Sequence, residues 1–129
     1  MVSPRAQATL VAAGRVGIGA AMLAAPARFG RPWLGAPAET GGGGVAVRAL
    51  GARDLALGAL TAASLSGRLG SPSTATTLVA ASGGCDLVDG VALLAARREI
   101  PAAGVATGVF ALGSALGGFA LARQLRAVA

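Results

Sequence analysis

Residues 102–122 read AAGVATGVFALGSALGGFALA, an apolar segment without a charged side chain. A helix needs about 20 mostly apolar residues to cross the roughly 30 Å hydrocarbon core of a bilayer. A helix of a water-soluble bundle has a polar face, and this segment offers none. The segment therefore predicts a membrane-spanning helix and argues against a water-soluble helical bundle.

Three further segments, residues 6–25, 45–65 and 74–96, have similar length and apolar character. With residues 102–122 they predict an all-α fold, a four-transmembrane-helix bundle with short loops. Residues 1–129 would form a single integral membrane domain. The chain is 54% hydrophobic and only 12% charged, whereas soluble domains carry about 25% charged residues. We expect a multi-pass protein of the bacterial cell (inner) membrane.

The connection after the first segment is rich in residues that interrupt helices. Pro26 and Pro32 are expected to end the first helix, and residues 41–44, four consecutive glycines, to form a flexible tail of the loop. Trp33 suits the interface, where an amphipathic ring has one edge in water.

The first segment has a second interpretation, a secretory signal, because Arg5 precedes an apolar run that ends in Ala and Pro. Signal peptides have an uninterrupted apolar region. Arg15 lies in the middle of this run, which argues for a membrane span instead.

Charged residues fall into two groups. The predicted spans contain Arg15, Arg48, Arg53, Asp54, Asp86 and Asp89, whose charges sum to zero. The net charge of +6 therefore lies in loops and tails, where arginines attract anionic lipid headgroups. We expect the lipid bilayer and these headgroups as partners, and no nucleic acid. The loop arginines divide equally between the two faces, which leaves the orientation open.

Charged groups near the centre of a bilayer are costly unless paired, which makes each one a candidate functional residue. Counting 1.5 Å per residue from the helix ends places five of them at one depth: Arg15, Arg53, Asp54, Asp86 and Asp89. Arg48 is close enough to a helix end to reach the interface. We expect Arg15 and Arg53 to pair with Asp86 and Asp89, and Asp54 to lie beside Arg53 or Thr61.

Three interpretations of this cluster remain open. It could be a dry ion-pair network that fixes helix register in a protein with a structural or accessory role. It could line a polar cavity in a small proton- or ion-coupled transporter that uses the intramembrane acids. It could also bind another membrane subunit. The first two differ in whether water reaches the acids.

Glycine patterns suggest close helix packing. Residues 51–58 and 83–90 share the pattern G-x-x-D-L-x-x-G, which implies inverted pseudo-symmetry of a kind found in transporters, unless it arises by chance. The fourth segment contains the pairs Gly104/Gly108 and Gly113/Gly117, on opposite faces. One face could pack inside the bundle and the other could form a homodimer.

Little in the sequence indicates an enzyme. There is no His, and Cys85 is the single cysteine, so a His-dependent triad, a zinc site and a disulfide are excluded. We predict no catalytic residues, no metal and no cofactor.

One short motif bears on the remote alternative of an enzyme fragment. Residues 86–90, Asp-Leu-Val-Asp-Gly, resemble the opening D-x-x-D-G of the CDP-alcohol phosphotransferases, whose acids bind metal and a substrate diphosphate. That family continues with Ala-Arg where this chain has Leu93 and Leu94, and its second aspartate pair is missing here.

A wider resemblance rests on residues 48–58, Arg-Ala-Leu-Gly-Ala-Arg-Asp-Leu-Ala-Leu-Gly, together with Asp86 and Asp89 one helix later. This arrangement resembles small four-helix actinobacterial membrane proteins of unknown function that carry a Gly-x-Arg-Asp motif. The resemblance implies the four-helix architecture and leaves the substrate open.

Overall fold

The computed structural model describes residues 2–128, which are mostly helical and include no strand. The α-helices are α1 (Pro4–Ala24), α2 (Pro26–Leu34), α3 (Gly41–Leu65), α4 (Pro72–Ala95) and α5 (Ala102–Ala127). A short 3-10 helix, Ala36–Glu39, precedes α3. Each of the four long helices overlaps one predicted segment, with α3 beginning four residues earlier and α5 ending five residues later than predicted.

Three of the long helices, α1, α4 and α5, are long and apolar enough to cross a membrane. The remaining long helix, α3, has 25 residues. Its charged residues Arg48, Arg53 and Asp54 fall within every 18-residue stretch of the helix, whereas no such stretch of α1, α4 or α5 contains more than two charged residues.

The prediction of a loop with a flexible glycine tail after the first helix is wrong. Pro26 is the first residue of α2, where its missing N–H leaves no hydrogen bond unmade. Residues 41–44 begin α3, and the Thr40 hydroxyl caps this helix by accepting a hydrogen bond from the Gly43 N–H at 3.0 Å. A side chain at Gly43 would collide with the carbonyl of Pro37, so glycine permits this tight entry.

Helices α1 and α3 form the first of two tightly packed antiparallel pairs. A Cβ atom added at Gly19 would lie 2.5 Å from the Gly51 carbonyl oxygen, and one added at Gly58 would lie 2.6 Å from the Ala12 carbonyl oxygen. The two backbones therefore touch, as small residues allow in membrane bundles.

Helices α4 and α5 form the second pair in the same way. A Cβ atom at Gly90 would lie 2.9 Å from the Gly108 carbonyl oxygen, and one at Gly83 would lie 3.1 Å from the Ala115 carbonyl oxygen. The glycines of the pattern G-x-x-D-L-x-x-G thus have the same role in residues 51–58 and in residues 83–90. They hold α3 against α1 and α4 against α5.

The two pairs meet along α3 and α4, and each end of the bundle is closed differently. One end has an apolar core made by Ala8, Leu65, Ala75, Val79, Leu121, Ala122 and Leu125. At the other end α2 bridges to α5, where the Trp33 carbonyl lies against Gly104. Five charged residues of the predicted spans, Arg15, Arg53, Asp54, Asp86 and Asp89, lie between these two ends.

Candidate functional site

Five charged side chains lie together between the two helix pairs and form what we call the ionic cluster: Arg15 of α1, Arg53 and Asp54 of α3, and Asp86 and Asp89 of α4. Their exposed side-chain fractions range from 13% to 28%. They are the five residues that the sequence places at one depth.

Arg15 of α1 connects the helix pair α1/α3 with the helix pair α4/α5. Its Nη1 atom donates to Asp54 Oδ1 at 2.9 Å, and its Nη2 atom donates to the carboxylate of Asp86. The same Nη2 atom lies 3.5 Å from the Ser82 carbonyl oxygen. One guanidinium group therefore binds an acid of its own pair and an acid of the other pair.

Arg53 makes the second connection. Its Nη1 and Nη2 atoms donate to Asp89 Oδ1 and Oδ2 at 3.0 and 2.6 Å, the two-pronged geometry typical of strong arginine–carboxylate pairs. Nη2 also lies 3.3 Å from Asp54 Oδ1. The contacts run unbroken through Asp86, Arg15, Asp54, Arg53 and Asp89.

The expected pairing of Arg15 and Arg53 with Asp86 and Asp89 is present, and the structure joins Arg15 to Asp86 and Arg53 to Asp89. Asp54 lies beside Arg53 as expected, but it also binds Arg15, a contact that the sequence does not indicate. The alternative partner, Thr61, makes no hydrogen bond with Asp54 among the described residues.

The cluster is not electrically balanced. Its three aspartates face two arginines, which gives a formal charge of −1 when all five groups are ionised. The sum of zero over the predicted spans includes Arg48, which is exposed near the beginning of α3 and outside the cluster. Because three carboxylates share two guanidinium groups, one negative charge has no full counter-ion. Within residues 2–128, Asp54 and Asp86 each have a second carboxylate oxygen that accepts no hydrogen bond.

Some hydrogen-bond donors of the ionic cluster also lack an acceptor. The Nε atoms of Arg15 and Arg53 are buried and have no hydrogen-bond partner in residues 2–128. A buried donor without a partner costs about 1–3 kcal/mol. The arginines are therefore held by their outer nitrogens, at some cost to the inner ones.

Two cavities reach the cluster from opposite ends of the bundle. Cavity A, of about 460 Å³, extends towards Gln7 and Leu121, and cavity B, of about 530 Å³, extends towards Trp33 and Ile100. Both volumes fall in the range of small-molecule sites. Five residues line both cavities: Ile18, Asp54, Asp86, Phe110 and Ser114.

Hydroxyl groups lie in the cavity walls, and the sequence indicates only one of them, that of Thr61. Thr61 and Ser82 line cavity A with exposed fractions of 4% and 5%, and Ser114 lines both cavities. None of these hydroxyls makes a hydrogen bond among the described residues. Ser82 lies one helical turn before Asp86 on the same face, a signal that could have identified it, whereas nothing in the sequence marks Ser114 or Phe110.

The two residues expected at the interface lie apart from the cluster. Trp33 of α2 donates its Nε1–H to the Phe29 carbonyl at 2.6 Å and lines cavity B. Arg48 is exposed on α3. Their interfacial position remains a prediction.

The two glycine pairs of α5 differ in their surroundings. Gly104 and Gly108 are buried, against the Trp33 carbonyl and against α4, so this face packs inside the bundle. Gly113 and Gly117 have open space where a Cβ atom would lie. Of the two faces considered for a homodimer, this second one is free, and the dimer remains a prediction.

The aspartates that resemble a phosphotransferase motif bind different arginines, Asp86 to Arg15 and Asp89 to Arg53. Among residues 2–128, no group of three or more His, Cys, Asp or Glu side chains is arranged to hold a metal ion.

The chain was compared with protein-family models, curated proteins and solved structures. No protein-family model, curated protein or solved structure matches it. The interpretation of the ionic cluster therefore rests on its contacts, its charge and its cavities.

Proposed function

We propose that the chain is a four-span protein of the cell (inner) membrane, in which the ionic cluster joins two helix pairs and serves a structural or accessory role. In this proposal α3 is the fourth span. Its Arg53 and Asp54 are paired inside the bundle, and its Arg48 is near enough to the helix end to reach the interface. The proposal assigns the chain no catalytic activity and no cofactor.

One observation carries this proposal. The charged contacts between the two pairs run from Arg15 of α1 to Asp86 of α4, and from Arg53 of α3 to Asp89 of α4. The glycine contacts at Gly19 and Gly90 hold helices within a pair. The cluster therefore supplies what the glycines do not, namely a fixed register between one pair and the other.

The test compares two aspartates that undergo the same chemical change. Asp86→Asn removes a contact between the pairs and should lower the thermal unfolding temperature of the detergent-solubilised protein, because it weakens a buried ion pair. Asp54→Asn leaves Arg15 with Asp86 and Arg53 with Asp89, so it should change stability little. Equal effects of the two variants would contradict the proposed role.

A second candidate function, a small proton- or ion-coupled carrier, is favoured by the two cavities. A carrier must let water or substrate reach its acids from each face of the membrane. Cavities A and B approach Asp54 and Asp86 from opposite ends of the bundle. A network that only fixes register has no need of either cavity.

Single cysteines distinguish the two candidates. In a Cys85→Ala background, Ser82→Cys reports on cavity A alone and Thr107→Cys on cavity B alone. A carrier predicts labelling by a membrane-impermeant maleimide, at Ser82→Cys from one face of oriented vesicles and at Thr107→Cys from the other. Leu116→Cys, on an outward-facing position of α5 that is 72% exposed, is the lipid-facing control. No labelling of either cavity position would exclude the carrier.

A further inference from the structure

The polar residues that line both cavities are Asp54, Asp86 and Ser114, whose side chains offer only oxygen atoms, whereas Arg15 lines cavity A and Arg53 lines cavity B. The second oxygens of Asp54 and Asp86 accept no hydrogen bond within the described chain, and both residues line both cavities. The Nε atoms of Arg15 and Arg53, which also lack partners, are covered by protein. A bound molecule would therefore meet unused acceptors, and not these unused donors.

Hydroxyl groups independently indicate a ligand at this place. Thr61 and Ser82 are more than nine-tenths buried, line cavity A, and make no hydrogen bond among residues 2–128. Their hydroxyl oxygens are not among the fully covered polar atoms without a partner, so each keeps surface through which a molecule in cavity A can reach it. Ser114 extends this set to the junction itself, because it lines both cavities.

The remaining walls fit an apolar body. Ile18 and Phe110 line both cavities, and cavity B adds Met22 and Leu50. Phe110 is 74% exposed and lines the same two cavities as Asp54 and Asp86. Aromatic faces attract cations, with a gain of about 0.5–2 kcal/mol. Mostly apolar walls around a few polar groups are typical of small-molecule sites.

We propose that the junction of the two cavities binds an organic cation, a primary ammonium group on an apolar body, with Asp54 and Asp86 as its counter-ions. The surplus carboxylate supplies the charge, and the hydroxyls and free carboxylate oxygens accept the ammonium hydrogens. The inference goes beyond the structural role of the cluster. It also stands without the carrier, because binding requires no passage across the membrane.

The chain provides its own reporter for this binding. Trp33 is the single tryptophan, the chain has no tyrosine, and Trp33 lines cavity B. The probe is benzylammonium, titrated into the protein in nanodiscs of zwitterionic lipid while the Trp33 fluorescence is recorded. Benzyl alcohol, which is uncharged and of similar shape, is the matched control ligand.

We expect a saturable change of Trp33 fluorescence with benzylammonium and none with benzyl alcohol. Asp54→Asn should weaken binding by about tenfold, the equivalent of about 1.4 kcal/mol, while each arginine keeps a carboxylate partner. Glu99→Gln removes a carboxylate outside the cluster and should leave the affinity unchanged. A linear response, or an unchanged affinity in Asp54→Asn, would overturn the inference.

A second variant keeps the test independent of the ion pairs. Ser114→Leu places a larger side chain at the junction and leaves every charged residue of the cluster unchanged. It should therefore abolish binding, while the unfolding temperature stays within a few degrees of that of the original chain. Full binding by this variant would contradict the assigned place. The outcome is also separable from the structural proposal, because that proposal depends on the stability of Asp86→Asn and not on any ligand.

Discussion

The interfaces within the helix pairs differ from the interface between the pairs in how closely the backbones approach. Within the pairs, Gly19, Gly58 and Gly90 bring backbones so close that a Cβ atom would lie 2.5–2.9 Å from a backbone oxygen. Between the pairs, long charged side chains bridge the gap, and two cavities remain beside them. The first kind of interface leaves no room for another molecule, whereas the second leaves room and charge.

The largest effect is expected from filling a within-pair contact. Gly19→Ala places a Cβ atom 2.5 Å from backbone atoms of Gly51 and Leu55, which have no flexible end that could move aside. Overpacking of this kind costs about 1–3 kcal/mol, and a backbone neighbour puts this variant at the upper end. The measurement is the free energy of unfolding in detergent, followed by circular dichroism.

Gly17→Ala is the matched control for that change, because it lies on the same helix and an added Cβ atom meets nothing within 4 Å. Alanine favours a helix over glycine by up to about 1 kcal/mol, so this variant should be neutral or slightly more stable. If both variants lose stability equally, close packing of α1 on α3 is not the cause.

Breaking a contact between the pairs should have the next largest effect. Asp89→Asn removes the two-pronged partner of Arg53 and leaves it only Asp54, at 3.3 Å. We expect a loss of about 2 kcal/mol, below the 3–5 kcal/mol of a fully buried pair because Asp89 is 28% exposed. Unfolding in detergent is again the measurement, and a loss below about 0.5 kcal/mol would argue against a joining role.

The smallest effect is expected at the surface. Glu39→Gln removes the partner of Arg31, an ion pair of 3.1 Å whose side chains are 50% and 71% exposed. Exposed pairs contribute about 0–1 kcal/mol. The unfolding temperature should therefore stay within a few degrees of that of the original chain. If Glu39→Gln lost as much stability as Asp89→Asn, burial would not explain why one ion pair contributes more than the other.

The sequence predicts the long helices and the membership of the ionic cluster for a physical reason. Charges in apolar helices must find partners, and the rise per residue places Arg15 and Asp86 at one depth. The contact of Arg15 with Asp54 escapes such counting. It depends on which side of α3 faces α1, and the glycine contacts set that choice.

Helix α2 and the cavities were beyond prediction for different reasons. With Pro26, Pro32 and two arginines in nine residues, α2 has the composition of a loop, and its contact with Gly104 joins residues far apart in sequence. The cavities are the spaces that remain once two close-packed pairs are set side by side. No local pattern encodes such a space, and residues that line it, such as Phe110 and Ser114, carry no mark in the sequence.

The most direct test of the joining role is a double-mutant cycle across the pairs. Arg53→Gln, Asp89→Asn and the double variant are unfolded under one condition, and the coupling free energy is compared with that of Arg31→Gln and Glu39→Gln. We expect a coupling of about 1–2 kcal/mol for the first cycle and close to zero for the second. Strictly additive effects of Arg53→Gln and Asp89→Asn would contradict the claim that the ionic cluster holds the two helix pairs together.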